Sequence, residues 1–215
     1  MLDRRATERP ASVDQGSAVT TIIDYGAGNL RSVQNTLDEL KAEYVVTNQP
    51  QMVQEADKLL LPGVGHFGQM MTALDRLRLR DPILNRVRAG VPMLGICLGL
   101  QSLFETSEES PESRGLGLFP GTVKRFTGDI RIPHMGWNSL SAVRETRLLK
   151  GLKNEPYAYF AHSFYVPVME ATAATCTYAQ PYTAVLEREN IFGVQFHPEK
   201  SGPVGLQIVK NFLDL

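Results

Sequence analysis

Residues 91–104, VPMLGICLGLQSLF, run an apolar strand-like segment straight into a Gly95-Ile96-Cys97-Leu98-Gly99 turn and on into helix-forming residues. A continuous apolar run of this length reads as a strand buried on both faces. Strand, Gly-x-Cys-x-Gly, helix is the layout of a nucleophile elbow, in which a sharp turn lifts one side chain above the sheet. The flanking glycines let neighbouring backbone pass without Cβ clashes. A helix N-terminus aimed at the sulfur favours thiolate, and backbone N–H groups there can hold an oxyanion. At the usual glycine frequency, two such glycines flank one of two cysteines by accident in only about 1% of chains. The second cysteine, Cys176, sits in ATCTYA with no glycine nearby and reads as structural.

The first half alternates strand and helix. AVTTIIDY, EYVVT, ADKLLLPG and VPMLGI read as strands. GNLRSVQNTLDELK places Leu30, Val33, Leu37 and Leu40 at helical spacing, and HFGQMMTALDRLRL gives Phe67, Met70, Met71, Leu74 and Leu77 one apolar face. A further helix in DPILNRVRAG is expected to use Asp81 as N-cap, Pro82 as its first residue and Gly90 as its stop. This alternation implies parallel βαβ units with helices on both faces. From GTVKRF to IFGVQF the chain carries short β-like runs, expected as antiparallel strands added to the parallel sheet, and GPVGLQIVKNFLDL closes it as a helix. The fold class expected is therefore α/β, with a mixed, mainly parallel central sheet. Residues 1–18 read as a disordered leader, with no apolar core for a secretory signal. Residues 19–215 read as a single domain.

A thiolate nucleophile needs a base, and the chain has four histidines: His66, His134, His162 and His197. His197 lies in GVQFHPEK, directly after a strand and two residues before Glu199. Pro198 stiffens the segment, so that Glu199 can hold the imidazole of His197 in one tautomer and orientation. His162, at a strand end, is the next candidate base. In LLLPGVGHFG, Gly63, Gly65 and Gly68 satisfy Gly-x-Gly-x-x-Gly, but the segment follows the third strand and Pro62 precedes it. A turn offering backbone N–H groups to an oxyanion explains these glycines as well as a dinucleotide does.

Composition narrows the classes further. A formal net charge of −1 and the lack of a basic run interleaved with aromatics disfavour a general nucleic-acid binder. No apolar stretch approaches the ~18 residues of a membrane span. Two distant cysteines form no zinc cluster and point to a reducing, cytoplasmic setting.

Together these segments resemble the class I (triad-type) glutamine amidotransferases, from about Thr20 to Leu215. Within that class DYGAGNLRSV, PGVGHFG, GICLGLQSLF, PHMGWN, HSFYV and GVQFHPEKSG are similar to the glutaminase subunits of imidazole glycerol phosphate synthases. The resemblance implies a flavodoxin-like fold and a Cys97, His197, Glu199 triad that hydrolyses L-glutamine without a cofactor or metal. It implies oxyanion donors at Leu98 and in the Gly63-Val64-Gly65 turn, and glutamine binding by Gln101, Ser163 and Phe164. It also implies a heterodimer with a (β/α)₈-barrel cyclase that receives the ammonia, with Asn29, Trp137, Tyr159 and Lys200 at the interface. In the resting protein one oxyanion donor would be turned away. Two alternatives stay open: a glutaminase subunit serving another ammonia-channelling synthase, and a cysteine hydrolase with no channelling partner.

Overall fold

The computed structural model describes residues 18–215 apart from Asn154. The expected leader, except for Ala18, lies outside the described residues. In chain order β1 (Thr20–Ile23), α1 (Leu30–Glu39), β2 (Tyr44–Thr47), α2 (Pro50–Gln54), β3 (Lys58–Gly63), α3 (Phe67–Arg76), α4 (Arg80–Arg88) and β4 (Met93–Cys97) make up the alternating half. One turn of helix, α5 (Leu98–Gln101), is followed by β5 (Phe104–Ser107), β6 (Phe119–Arg125), β7 (His134–Ser139), β8 (Ser141–Ala142), β9 (Tyr157–His162) and β10 (Phe164–Tyr165). Then come β11 (Thr172–Tyr178), β12 (Gln180–Arg188), β13 (Ile191–Val194) and α6 (Gly202–Leu213).

Eight strands form the central sheet in the order β2-β1-β3-β4-β13-β12-β11-β8. The first five run parallel and the last three antiparallel. The parallel part has the 2-1-3-4-5 order of flavodoxin-like folds, which places ligand chemistry beyond the carboxyl ends of the strands. Because strand side chains alternate, neighbours such as Ile22 and Ile23, or Leu59, Leu60 and Leu61, belong to opposite faces. One face packs on Val53, Phe67, Met70, Leu74, Ile83 and Val87 of α2, α3 and α4. The other packs on Val33, Leu37, Ile208, Val209 and Phe212 of α1 and α6.

Three expectations need correction. IFGVQF is not an added antiparallel strand: β13 lies parallel to β4 in the sheet centre, all four residues buried, as its unbroken apolar run demands. GTVKRF and YAYFAH leave the main sheet altogether; β6 joins β10 and β5, and β9 pairs with β7 in a two-stranded ribbon. Helix α4 begins at Arg80 with Leu79, not Asp81, as its cap. The Leu79 carbonyl accepts the first helical bond from Ile83 N–H at 3.1 Å, and Arg80 is tied back to Asp75. Pro82 thus falls inside the first turn, where a missing N–H costs nothing.

The helix after the elbow is also shorter than its sequence implies. Ser102 Oγ donates to the Gly99 carbonyl at 2.8 Å, and Phe104 is drawn away to stack on Phe119 at 5.5 Å. What fixes α5 against the sheet is the absence of side chains between them. A Cβ on Gly99 would lie 1.9 Å from the Leu61 carbonyl oxygen, and one on Gly95 would lie 2.6 Å from the Gly99 carbonyl oxygen.

Both contacts are backbone to backbone, so neither partner can swing aside. Gly99→Ala is expected to cost about 3 kcal/mol or more of unfolding free energy, at the upper end for overpacked cores. Gly90→Ala, at a helix stop with φ +86° and open space, is expected to cost about 1 kcal/mol. Urea denaturation of the two variants checks the difference.

Candidate active site

The carboxyl ends of β3, β4 and β13 converge on Cys97. Its φ of 53° and ψ of −107° lie where few residues other than glycine go, a strain of about 1–3 kcal/mol that the packed elbow holds in place. The side chain is buried, 6% exposed. Gly63 pairs with Cys97 across β3 and β4, and a Cβ on Gly63 would meet Gly99 N at 2.5 Å and Leu98 Cβ at 2.7 Å. Gly63 is therefore packed under the elbow rather than free to rotate. The conformational freedom expected of this turn sits two residues further on, at Gly65, with φ +95° and nothing within 4 Å of where a Cβ would lie. Gly68, the third glycine of the apparent dinucleotide motif, is small because a Cβ there would strike Ser110 Oγ at 2.3 Å.

His197 follows β13 and donates its backbone N–H to the Tyr159 carbonyl of β9 at 2.9 Å. Its Nδ1 lies 2.9 Å from Glu199 Oε1, both side chains being nearly inaccessible. The single 3₁₀ turn Pro198–Lys200 carries Glu199 round to face the ring. Ser201 Oγ locks that turn, donating to the His197 carbonyl at 2.7 Å and accepting from Tyr159 N–H at 2.9 Å. Burial alone would depress the imidazole's pKa. Hydrogen bonding to the Cys97 sulfur and to Glu199 overrides it, and the value is pushed up to about 10. His197 therefore carries a proton at neutral pH, with the sulfur on one side and the carboxylate on the other.

Of the other expected substrate contacts, Gln101 and Phe164 come together. Gln101 Nε2 donates to the Phe164 carbonyl at 2.8 Å and to Gln195 Oε1 at 3.2 Å. Gln195 Nε2 in turn reaches the Cys97 sulfur at 3.7 Å. Ser163 is half-buried, and its carbonyl is occupied by Phe126 N–H at 3.1 Å. Leu98 is buried at the start of α5, and Val64 is exposed. Val64 N–H donates to the Tyr25 hydroxyl at 3.2 Å, so it is not available to an oxyanion while that bond stands. Burial raises the Tyr25 pKa to about 12, and the hydroxyl stays protonated.

Sequence reasoning missed Gln195 and Tyr25. The signal for Gln195 was present: a lone amide at the end of an apolar run, two residues before His197. His162, the reserve base, is excluded from that role. Burial holds it neutral, with a pKa near 3, and its Nδ1 is committed to the Phe164 carbonyl at 2.8 Å. His66 caps α3, its Nδ1 accepting from Gly68 N–H at 3.2 Å.

Three of the four expected interface residues form one patch. Trp137, 56% exposed, meets Tyr159 edge-on at 6.1 Å, and Lys200 Nζ stands 5.8 Å above the Tyr159 ring. Asn29 stands apart from these contacts at the start of α1, half-buried, its carbonyl capping the helix toward Ser32 and Val33.

Comparison with known proteins identifies the family. The family described as glutamine amidotransferase class-I matches residues 21–215. Imidazole glycerol phosphate synthase subunit HisH of Methanothermobacter thermautotrophicus is 47% identical over 195 residues, covering 90% of this chain and 97% of the relative. The subunit of the same name from Methanocaldococcus jannaschii is 45% identical over 195 residues, covering 90% and 98%. Among solved structures, PurLQS from Thermotoga maritima superposes with a TM-score of 0.73 over 93% of this chain and 99% of that one, at 18% identity, a likeness of fold. A structure described as a glutamine amidotransferase gives 0.72 over 91% and 97%, also at 18% identity. By its family match, its relatives and its fold, the chain belongs to the class-I glutamine amidotransferases.

Proposed function

We propose that the protein is the glutaminase subunit of an imidazole glycerol phosphate synthase of histidine biosynthesis, hydrolysing L-glutamine to glutamate and ammonia. The observation that carries the chemistry is His197, protonated and held between the Cys97 sulfur and Glu199. The identity of 45–47% to HisH subunits along nearly the whole chain carries the pathway.

In this reading Cys97 Sγ attacks the side-chain amide carbon of glutamine, and the carbonyl oxygen becomes an oxyanion. Leu98 N–H and the Gly63-Val64-Gly65 turn receive that charge. His197 gives its proton to the amide nitrogen, the C–N bond breaks, and ammonia leaves a glutamyl thioester. Water then attacks the thioester carbon, His197 takes the water proton, and the C–S bond breaks to release glutamate. Glu199 takes no proton; it orients the ring. Gln101 and Phe164 hold the substrate's amino-acid end.

The ammonia goes to a cyclase subunit, which we take to be a (β/α)₈ barrel docked on the Trp137, Tyr159 and Lys200 patch. The whole span 19–215 serves as one amidotransferase domain. No helix among the described residues is long and apolar enough to cross a membrane, in keeping with work in the cytoplasm. The engagement of Val64 N–H by Tyr25 fits a resting state in which that donor must turn before it can serve.

Cys97→Ala is expected to abolish glutamine hydrolysis with the fold intact, and the complex should still form product from added ammonium salts at high pH. Glutaminase and ammonium-dependent assays run side by side check both halves. His197→Ala should be nearly as severe, while Glu199→Gln should lose less rate, since a misoriented base still functions in part.

His197 has a folded pKa raised above its ordinary value of 6.5, to about 10. Its contribution to stability is therefore fully present below about pH 6.5 and lost as the pH rises through about 10. The melting-temperature gap between wild type and His197→Ala should shrink across that window. In Cys97→Ala the imidazole should titrate at lower pH, as read by NMR.

Trp137→Ala should weaken complex formation with the cyclase while leaving Cys97 alkylation by iodoacetamide unchanged. A titration of one subunit with the other, with alkylation measured in parallel, checks this.

A further inference from the structure

Behind the cleft lies a buried polar chain to which the catalytic reading gives no role. His134 Nδ1 is 3.1 Å from the Tyr182 hydroxyl, and His162 Nε2 is 3.3 Å from the same oxygen. His162 Nδ1 is 2.8 Å from the Phe164 carbonyl, the acceptor that also holds Gln101 Nε2. At the outer end Asn138 Nδ2 is 3.4 Å from His134 Nε2. Tyr182 is wholly buried, and His134 and His162 nearly so. The His134 ring is sandwiched between Tyr178 at 4.1 Å and Phe160 at 4.9 Å, which fixes its plane.

The direction of every bond follows from the ends. A carbonyl only accepts, so His162 carries its hydrogen on Nδ1. Burial keeps both imidazoles neutral, so His162 Nε2 has a lone pair and must accept from the Tyr182 hydroxyl. With its one hydrogen spent, Tyr182 accepts from His134 Nδ1–H. That leaves His134 Nε2 as the acceptor for Asn138. The Cys176 thiol, pushed up to about 11 by burial, stays protonated; it also bonds to Tyr182, but its sulfur is a far weaker acceptor than an imidazole nitrogen, so the hydroxyl hydrogen goes to His162.

At the inner end, the Phe164 carbonyl and Gln195 Oε1 take both hydrogens of Gln101 Nε2. The acceptor end of that amide, Oε1, is the one left for a ligand, and it suits the α-ammonium group of an amino acid. We propose that Tyr182 is a positioning residue: through His162 and the Phe164 carbonyl it fixes which end of the Gln101 amide faces the substrate. This rests on the reading of the cleft as a glutamine site. The relay's outer residue, Asn138, stands on the ribbon that carries Trp137, so the ribbon and the amide belong to one hydrogen-bonded chain.

The test uses the full chain as wild type, Tyr182→Phe and His162→Phe, each keeping an aromatic ring in place. Cys97 is alkylated with iodoacetamide at increasing L-glutamine. In wild type glutamine protects Cys97. In either variant the half-protecting concentration is expected to rise about five- to tenfold, with the alkylation rate in the absence of glutamine within about twofold of wild type. The glutaminase reaction should show the same split, in KM rather than kcat. ¹⁵N NMR of wild type should show His134 and His162 neutral and protonated on Nδ1 at pH 7. Unchanged half-protection in a folded variant, or an Nε2–H tautomer at either histidine in wild type, overturns the proposal. Loss of alkylation in step with loss of protection overturns it as well, since that is the mark of general disruption. Failure of glutamine to protect wild-type Cys97 at any concentration instead overturns the glutaminase reading, and the proposal with it.

Discussion

The elbow depends on two stretches of backbone lying closer together than any side chain would allow. Gly99 sits over the Leu61 carbonyl, and Gly95 sits under the Gly99 carbonyl. From that approach the remaining geometry follows. Gly63 must be bare because Leu98 and Gly99 pass over it, and Gly193 of β13 leaves the room that Leu100 Cδ1 fills, 2.3 Å from where a Cβ would lie. Three adjacent strands thus each give up a side chain to seat one turn of helix. Cys97 takes a φ of 53° as a result, since the chain must reverse from strand to helix within one residue. The strain at the nucleophile is sustained by packing several residues away.

The base is placed by a different device, and it comes from outside the central sheet. His197 N–H bonds to the Tyr159 carbonyl of the ribbon, and Ser201 Oγ links the same two segments. Behind them α6 presses so close that a Cβ on Gly205 would lie 1.9 Å from the Pro198 carbonyl oxygen. Nucleophile and base therefore hang from separate supports. The elbow is held by the sheet, whereas the base is held by β9 and α6. Tyr159 belongs both to the support of His197 and to the exposed Trp137 patch. Movement of the ribbon would shift the base relative to the sulfur.

Much of this was legible in the chain, for physical reasons that differ by element. Central strands announce themselves as unbroken apolar runs, and the glycines at 95 and 99 mark the turn by flanking the cysteine on both sides. His197 and Glu199 are two residues apart, so their pairing needed no tertiary knowledge. What could not be read were properties of long-range pairing. Whether IFGVQF runs parallel or antiparallel depends on its neighbour: its unbroken apolar run marks a buried strand but carries no direction. The shortness of α5 comes from Phe104 stacking on Phe119, a partner fifteen residues on. The Val64 turn misled in the opposite sense. Its glycines look equally free in sequence, yet Gly63 is clamped by the elbow and only Gly65 has room.

The four histidines show how environment divides one residue type into separate tasks. His66 is a helix cap, in which a ring nitrogen serves as a plain acceptor. His134 and His162 are buried among aromatic rings with no carboxylate against them among the described residues, so desolvation wins and both stay neutral, near pKa 4 and 3. His197 is as inaccessible as either, yet it is charged, because a carboxylate oxygen and a sulfur face its two sides. Burial without a charged partner makes an imidazole a fixed donor–acceptor pair, suited to orienting other groups. Burial with two such partners makes it a proton carrier. The distance between those outcomes, from about 3 to about 10, is set by the neighbours each ring keeps rather than by its depth in the protein.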